Sequence, residues 1–244
     1  MSIIIEELFP EVCNLFGDMG NMRYLKLCLP DAEFIETALN DKPYFAEHDV
    51  NMVYLGPMTE NTQEQVIRRL EPYKDRIKEL IRKNVVFLAT GNAQEIFGMS
   101  ITDSGKEIKC LEIFDFKAKR DMMHRFSGLV LGNYGDLEMV GFRAQFTRGY
   151  LGNSLKPFVN VVKGDGMNSE SKAEGFVVNN FYGTYILGPL LVLNPYFTKK
   201  LIKQICGGER TLAFEAESIK AYNTRLEDFK DSHVAVSYTH LTLP

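Results

Sequence analysis

The stretch 85–98 constrains the fold more than any other part of this sequence. It reads Val-Val-Phe-Leu-Ala-Thr-Gly-Asn-Ala-Gln-Glu-Ile-Phe-Gly, an apolar, β-branched run followed at once by a glycine turn and the start of an amphipathic helix. This is the strand, elbow and helix arrangement on which many α/β enzymes mount a reactive Ser or Cys. Gly91 stands at the elbow position. The sequence therefore predicts the scaffold of a nucleophilic enzyme without its nucleophile.

Strands and helices alternate through the first half of the chain. The predicted strands cover 2–8, 33–39, 50–55 and 85–90. Asn21 is predicted to cap a first helix, and a second helix is predicted over 64–83, where Pro72 kinks or splits it. Strands that alternate with helices through short glycine turns favour a parallel sheet with helices on both faces. We therefore predict an α/β fold of three layers around a mainly parallel sheet.

The second half of the sequence is richer in strands. Apolar or alternating segments between Gly, Asn and Asp turns predict strands, in part antiparallel, over 108–116, 127–131, 138–146, 158–162 and 176–178. Helices are predicted over 195–205 and 211–229. We predict one domain over residues 1–236, because α/β folds of this length are commonly single domains. Residues 237–244 are interpreted as a non-native tail that resembles a translated sequencing adapter.

Charge and hydropathy exclude several classes of partner. The 28 Lys and Arg against 32 Asp and Glu give a net charge of −4 and no basic face of the kind that binds nucleic acid. No apolar run reaches the roughly 20 residues needed to cross a bilayer, so no membrane insertion is expected. The apolar start reaches Glu6 and Glu7 too soon for a signal peptide. The cytoplasm is the expected location.

The cysteines and histidines predict no metal centre, disulfide or cofactor. The four cysteines form no C-x-x-C pair and have no His at ligand spacing, so they are interpreted as reduced thiols. The histidines, which stand in turn or tail contexts and are predicted to lie at the surface, are His48, His124, His233 and His240.

Three segments resemble one family. Residues 9–21 contain Phe-Pro…Asn-Leu-Phe-Gly-Asp-Met-Gly-Asn, residues 140–152 contain Val-Gly-Phe…Arg-Gly-Tyr-Leu-Gly, and residues 183–195 read Gly-Thr-Tyr-Ile-Leu-Gly-Pro-Leu-Leu-Val-Leu-Asn-Pro. With the elbow, their order and spacing resemble the class I glutamine amidotransferases of the cobyric acid synthase type, in particular the glutaminase subunits of lipid II isoglutaminyl synthase. The resemblance runs from about residue 4 to about residue 205. It implies a flavodoxin-like α/β fold.

The resemblance also assigns roles to positions. In the family a Cys at the elbow attacks the glutamine amide and a His activates it; these positions hold Gly91 and Leu187. The family's oxyanion loop corresponds to 56–58, where Pro57 has no N–H to donate, and its Glu-Asn-His to 143–145. Neither a glycine nor a leucine side chain can carry charge or a proton. Glutamine hydrolysis by the family mechanism is therefore not expected.

We interpret the chain as a non-catalytic binding or regulatory subunit, beside a Mur-ligase-like partner in cell-wall metabolism. The resemblance and the polar residues at strand ends predict a pocket for a small amide or amino acid, formed by Gly56, Gly91, Asn92, Glu95, Gln145 and Arg148. One alternative is a different enzyme on the same scaffold, using Glu95, Asp18 or a Cys. Another is an active glutaminase subunit that supplies ammonia to a ligase. It requires a Cys and a His at strand ends.

Overall fold

A computed structural model of the chain describes residues 2–231. Its helices of four residues or more are α1 (Gly20–Cys28), α2 (Glu60–Leu70), α3 (Lys74–Arg82), α4 (Ala93–Ile96), α5 (Leu190–Leu193), α6 (Pro195–Cys206) and α7 (Glu215–Lys230). Its strands are β1 (Ile4–Leu8), β2 (Glu33–Thr37), β3 (Met52–Leu55), β4 (Val86–Thr90), β5 (Ser100–Asp103), β6 (Lys106–Lys109), β7 (Phe116–Arg120), β8 (Phe126–Tyr134), β9 (Leu137–Gln145), β10 (Thr147–Leu151), β11 (Val159–Lys163), β12 (Ala173–Glu174), β13 (Phe176–Val178) and β14 (Phe181–Thr184).

A six-stranded sheet forms the centre of the fold, in the order β13-β14-β4-β3-β1-β2. Five neighbouring strands, from β14 to β2, run parallel, and only β13 is antiparallel. Parallel strands place their carboxyl ends at one edge of the sheet, where open α/β sheets bind ligands. The prediction of a mainly parallel sheet is confirmed.

Alternation along the central strands produces the three layers. In β3 and β4, Val53 and Phe87 pack with α2 and α3, whereas Tyr54 and Leu88 pack with α1 and α6. Successive strand residues point to opposite faces, so both faces of a parallel sheet need apolar cover. Each face buries its own hydrophobic core, and the predicted α/β fold with helices on both faces is confirmed.

Two smaller sheets come from the part of the chain that follows Gly98. One has the order β10-β7-β5-β6 and joins the core that contains α2, while the other has the order β12-β11-β8-β9 and joins the core that contains α1. The second sheet is antiparallel throughout. The prediction that this part of the chain is rich in strands, in part antiparallel, is therefore confirmed.

Several boundaries differ from the predictions. The helix predicted over 64–83 is split into α2 and α3 by a 3-10 turn that contains Pro72, as expected. Asn21 does not cap α1; it lies inside the helix, fully buried, and accepts a hydrogen bond from the Leu191 backbone N at 2.9 Å. The strand predicted over 108–116 is wrong, because residues 110–115 are a loop whose backbone bonds to the end of α4, as between Leu111 N and Ile96 O at 2.9 Å.

The central strand β14 was not predicted at all. It has only four residues, Phe-Tyr-Gly-Thr, and follows two asparagines, so neither its length nor its composition distinguishes it from a turn. The predicted tail 237–244, His233 and His240 lie outside the described residues. The single domain over 1–236 stays a prediction.

Candidate functional site

Gly91 lies at the carboxyl end of β4, at the turn into α4, with φ of +59°. This left-handed backbone is the geometry that strained nucleophile elbows adopt, and glycine adopts it without steric cost. A Cβ at this position would lie 2.6 Å from the Pro57 Cβ. The elbow is therefore present in backbone, and the side chain of Pro57 lies where a nucleophile would begin.

The loop after β3 is bonded to the elbow. The Met58 N donates to Asn92 Oδ1 at 3.0 Å, and Asn92 Nδ2 donates to the Met58 O at 2.8 Å. This pair of bonds uses both backbone groups of Met58. Pro57 has no N–H, so the two residues after Gly56 offer no free backbone donor to a ligand. Gly56 packs against the Cys13 backbone: a Cβ on it would lie 2.2 Å from the Cys13 O.

A small cleft opens at this edge of the sheet, with a volume of about 120 Å³. Three of the six predicted pocket residues line it, namely Gly91, Asn92 and Gln145, and the other three do not. The remaining walls come from the loops after β1 and β3, from the first residue of α2 and from the junction of β9 and β10: Leu15, Phe16, Pro57, Met58, Thr59, Glu60, Ala144, Phe146 and Thr147. The structure thus brings half of the predicted pocket together.

Glu95 lies behind the cleft rather than in it. Its carboxylate accepts hydrogen bonds from Tyr185 Oη at 2.8 Å and from Gln63 Nε2 at 2.9 Å, and the side chain of Thr147 bonds to it as well. It is 1% exposed, and burial raises its pKa to about 7. Because Thr147 lines the cleft, Glu95 is one side chain away from it. The buried partners Gln63 and Tyr185 could not be predicted from their spacing in the sequence.

Arg148 is half-buried and stacks on Phe126. Its guanidinium carbon lies 4.1 Å from the Phe126 ring centroid, and that of Arg143 lies 3.9 Å from the same ring. Arg143 is buried and also contacts Asp165, with 3.5 Å between Nη2 and Oδ2. Burial lowers the pKa of Arg143 to about 10. Arg143 of β9 and Arg148 of β10 thus both stack on Phe126 of β8, and neither lines the cleft.

Leu187, which the resemblance aligns with the family's base, is buried with 1% exposure. Its backbone N donates to the Phe142 O at 2.6 Å, and the Phe142 N donates back to the Leu187 O at 3.2 Å. The backbone of Leu187 therefore connects the segment after β14 to β9, and the assignment of this position stays a prediction.

Asp18 lies at the carboxyl ends of β3 and β4. Its Oδ2 accepts hydrogen bonds from Tyr54 Oη and Thr90 Oγ1. The residue is fully buried, and burial raises its pKa to about 6 against the opposing effect of these two bonds. Asp18 thus ties the loop after β1 to the residue that precedes Gly91, and it does not line the cleft.

Exposed apolar side chains occur on the loop after β1 and on the loop between β7 and β8. Phe16, which lines the cleft, is 49% exposed, and Met122 and Met123 are 48% and 87% exposed. The guanidinium carbon of Arg125, from the same loop between β7 and β8, lies 5.9 Å from the ring centroids of both Phe16 and Phe146, which line the cleft. Arg125 therefore links two walls of the cleft by cation–π contacts.

Within residues 2–231, none of the four cysteines is bonded to either of the two histidines, His48 and His124. Cys13, which is buried beside Met58, is the cysteine near the elbow, and burial raises its pKa far above the ordinary range. His48 and His124 are exposed. Across residues 2–231, no three His, Cys, Asp or Glu side chains come together so as to hold a metal ion. In the same part of the chain no helix is both long and apolar enough to cross a bilayer.

The comparison with known proteins agrees with this geometry. Residues 7–194 match the CobB/CobQ-like glutamine amidotransferase domain. The GatD subunit of lipid II isoglutaminyl synthase (glutamine-hydrolyzing) from Streptococcus pneumoniae is 27% identical over 205 residues, covering 81% of this chain and 78% of that protein. The subunit of the same name from Staphylococcus aureus is 24% identical over 220 residues, covering 89% of both chains.

A solved structure supports the fold. A glutamine amidotransferase from Thermotoga maritima superposes with a TM-score of 0.53 at 13% identity, covering 93% of this chain and 85% of the other. At this identity the likeness concerns the fold alone. The match over residues 7–194 carries the assignment, and the chain belongs to the family of CobB/CobQ-like glutamine amidotransferase domains.

Proposed function

We propose that this chain is a non-catalytic member of its family, which acts as a binding or regulatory subunit. The contact between Gly91 and Pro57 carries the proposal. A nucleophile at the elbow needs a Cβ, and here that Cβ would meet the Pro57 side chain at 2.6 Å. The missing nucleophile is therefore matched by a neighbour that fills its space.

The stabilisation of an oxyanion is reduced as well. Acyl transfer from an amide needs free donors 2.7–3.1 Å from the developing oxyanion. In the loop after β3, the Met58 N–H is bonded to Asn92 and Pro57 has none. Neither residue can supply such a donor while the pair between Met58 and Asn92 persists.

The relatives support a role in a complex. Both are named as subunits of a glutamine-hydrolyzing synthase that acts on lipid II. Phe16, which lines the cleft, is exposed, and so are Met122 and Met123, in the loop whose Arg125 contacts Phe16. Exposed apolar surface is typical of interaction sites. We propose that a Mur-ligase-like subunit in cell-wall metabolism docks here, and that the cleft takes a small amide or amino-acid group.

A different chemistry on the same scaffold would start from Glu95. Burial raises its pKa to about 7, which suits a general acid or base at neutral pH. Its two oxygens are bonded to Tyr185 and Gln63 and it does not line the cleft, so the geometry favours a structural carboxyl.

Ammonia release from L-glutamine by the purified chain, alone and with a Mur-ligase-like partner, tests the proposal. We expect none above the blank from the natural sequence in either condition. The matched variant combines Gly91→Cys, Leu187→His, Pro57→Gly and Asn92→Gly. It restores the two chemical groups and clears the elbow and the Met58 N–H.

Turnover by the natural chain would contradict the proposal. If Cys13→Ser then abolished that turnover, the nucleophile would be Cys13 and the assigned positions would be wrong. The role as a subunit has a separate test, co-purification with the ligase. We expect Met123→Asp and Phe16→Asp to weaken it, while His48→Ala, which changes an exposed residue that does not line the cleft, leaves it unchanged.

A further inference from the structure

A second, larger opening lies at the other end of the central sheet. It is a groove of about 430 Å³ between the end of α3, the loops before β7 and after β10, and the turn between β13 and β14. Asn180, in that turn, accepts the Phe87 N at the start of β4. The opening, here named the amino-end groove, therefore lies at the opposite edge of the sheet from Gly91. Its volume falls in the range of small-molecule sites.

The floor of the groove is apolar and belongs to the core. Phe114 and Ile81 are buried, with 6% and 4% exposure. Ile113, Leu155 and Val178 are half-buried and pack against the same core. Half-buried aliphatic side chains at the base of an opening give hydrocarbon groups of a ligand a surface to cover.

The cations of the groove differ from the others on and around α3. Lys74 and Arg76 are paired with carboxylates, with N–O distances of 3.1 Å to Glu112 and 3.0 Å to Glu79. Lys78 and Arg82, which line the groove, have no ion-pair or hydrogen-bond partner for their side chains among residues 2–231. The two cations that face the groove are therefore not neutralised by a carboxylate of the described residues, unlike Lys74 and Arg76.

We propose that the amino-end groove binds a medium-chain carboxylate, with its hydrocarbon on Phe114, Leu155 and Val178 and its carboxylate on Lys78 and Arg82. Charge complementarity selects the anion, because two free cations face the groove against one acid, Asp115. The apolar floor favours an anion with a hydrocarbon chain over a small inorganic anion. The inference uses no residue of the elbow cleft, so it is independent of the proposed function.

Calorimetric titration of the full chain with sodium octanoate tests this site. We expect octanoate to bind with at least about tenfold higher affinity than octanamide or octylammonium. Lys78→Ala combined with Arg82→Ala should weaken octanoate binding about tenfold, and Asp115→Asn should strengthen it about twofold. The control, Lys220→Ala with Arg225→Ala, removes two cations from a shallow depression on α7 and should change nothing.

Amide shifts in the ¹H–¹⁵N spectrum locate the ligand, and we expect them at Ser154, Val178 and Asn179. Each of three results would overturn the site: no octanoate binding up to about 5 mM, equal affinity for octanoate and octanamide, or shifts confined to other regions. Equal thermal midpoints for the natural chain and the Lys78/Arg82 variant ensure that lost binding is not lost folding.

Discussion

The two ends of the central sheet differ in what their polar side chains contact. At the carboxyl end, Asn92 bonds both backbone groups of Met58, and Glu95 is bonded by Gln63 and Tyr185. A few buried oxygens there, such as Gln145 Oε1 in the wall of the cleft, have no hydrogen-bond partner among residues 2–231. At the amino end, Lys78 is half-buried and Arg82 is exposed, and neither side chain has a partner in the same residues. Polar groups at the carboxyl end are thus mostly bonded within the protein, whereas the cations at the amino end are available to a ligand.

The largest expected effect follows from placing a side chain at the elbow. Gly91→Cys adds a Cβ against Pro57 and forces a non-glycine residue to φ of +59°. Overpacking and left-handed backbone together should lower the free energy of unfolding by roughly 2–5 kcal/mol. Urea unfolding measures it.

A double-mutant cycle sharpens this result. Pro57→Gly combined with Gly91→Cys should recover the steric part of the loss, giving a coupling energy of about 1–3 kcal/mol. A coupling energy of zero would show that Pro57 does not clash with a side chain at position 91.

The dependence of stability on pH tests whether Glu95, at the carboxyl end, is a buried carboxyl with a raised pKa. The folded pKa of Glu95 is raised from 4.5 to about 7, so the folded state binds the extra proton in this window. Its contribution to stability is complete below about pH 4.5 and is lost as the pH rises through about 7, by an amount on the order of 3 kcal/mol. Glu95→Gln should flatten that part of the stability curve, measured by urea unfolding at several pH values.

Asp18 also lowers the free energy of unfolding as the pH rises, but over a lower pH range. Its pKa is raised from the ordinary 3.8 to about 6 in the folded state. The matched control is Glu227→Gln, which removes an exposed carboxyl from α7 and should leave the curve unchanged. A curve for Glu95→Gln that is parallel to that of the natural chain would refute the assignment.

A smaller effect separates the two ends directly. Asn92→Ala removes two hydrogen bonds to Met58 and should cost about 1–2 kcal/mol. Lys78→Ala with Arg82→Ala removes unpartnered charges and should stay within about 0.5 kcal/mol. Hydrogen exchange at the Met58 amide, which should accelerate in Asn92→Ala alone, shows whether that N–H has been freed. Equal losses of stability from the substitutions at the two ends would contradict the difference between them.

The smallest effect concerns access to the cleft. Arg125 makes cation–π contacts to two residues of the cleft, and such a contact contributes about 0.5–1 kcal/mol at exposed sites. Arg125→Ala should therefore raise the rate at which a reagent enters the cleft by a factor of about two to five. The alkylation rate of a Leu15→Cys variant reports it, because Leu15 lines the cleft. Lys119→Ala, an exposed cation on β7, is the control. An unchanged rate in Arg125→Ala would mean that the contact does not restrict entry.

The sequence predicted the elbow, the three layers and most of the parallel strands, because β-branched runs and glycine turns are local signals. It did not predict β14, which is too short to carry a period, or the loop 110–115, whose apolar residues cover α4 rather than extend as a strand. At the site it placed Gly91, Asn92 and Gln145 beside the cleft. It could not separate these from Glu95 and Arg148, because burial behind a neighbour such as Thr147 or Phe126 depends on contacts distant in sequence.

The contact between Pro57 and Gly91 has a consequence for how this elbow can change. Glycine holds the left-handed backbone at φ of +59° without steric cost. A cysteine introduced at position 91 would meet the Pro57 side chain before it offered any activity. The order of substitutions then acts as a ratchet: Pro57 must change before a side chain at position 91 is accommodated, so a single substitution does not give this elbow an unstrained nucleophile.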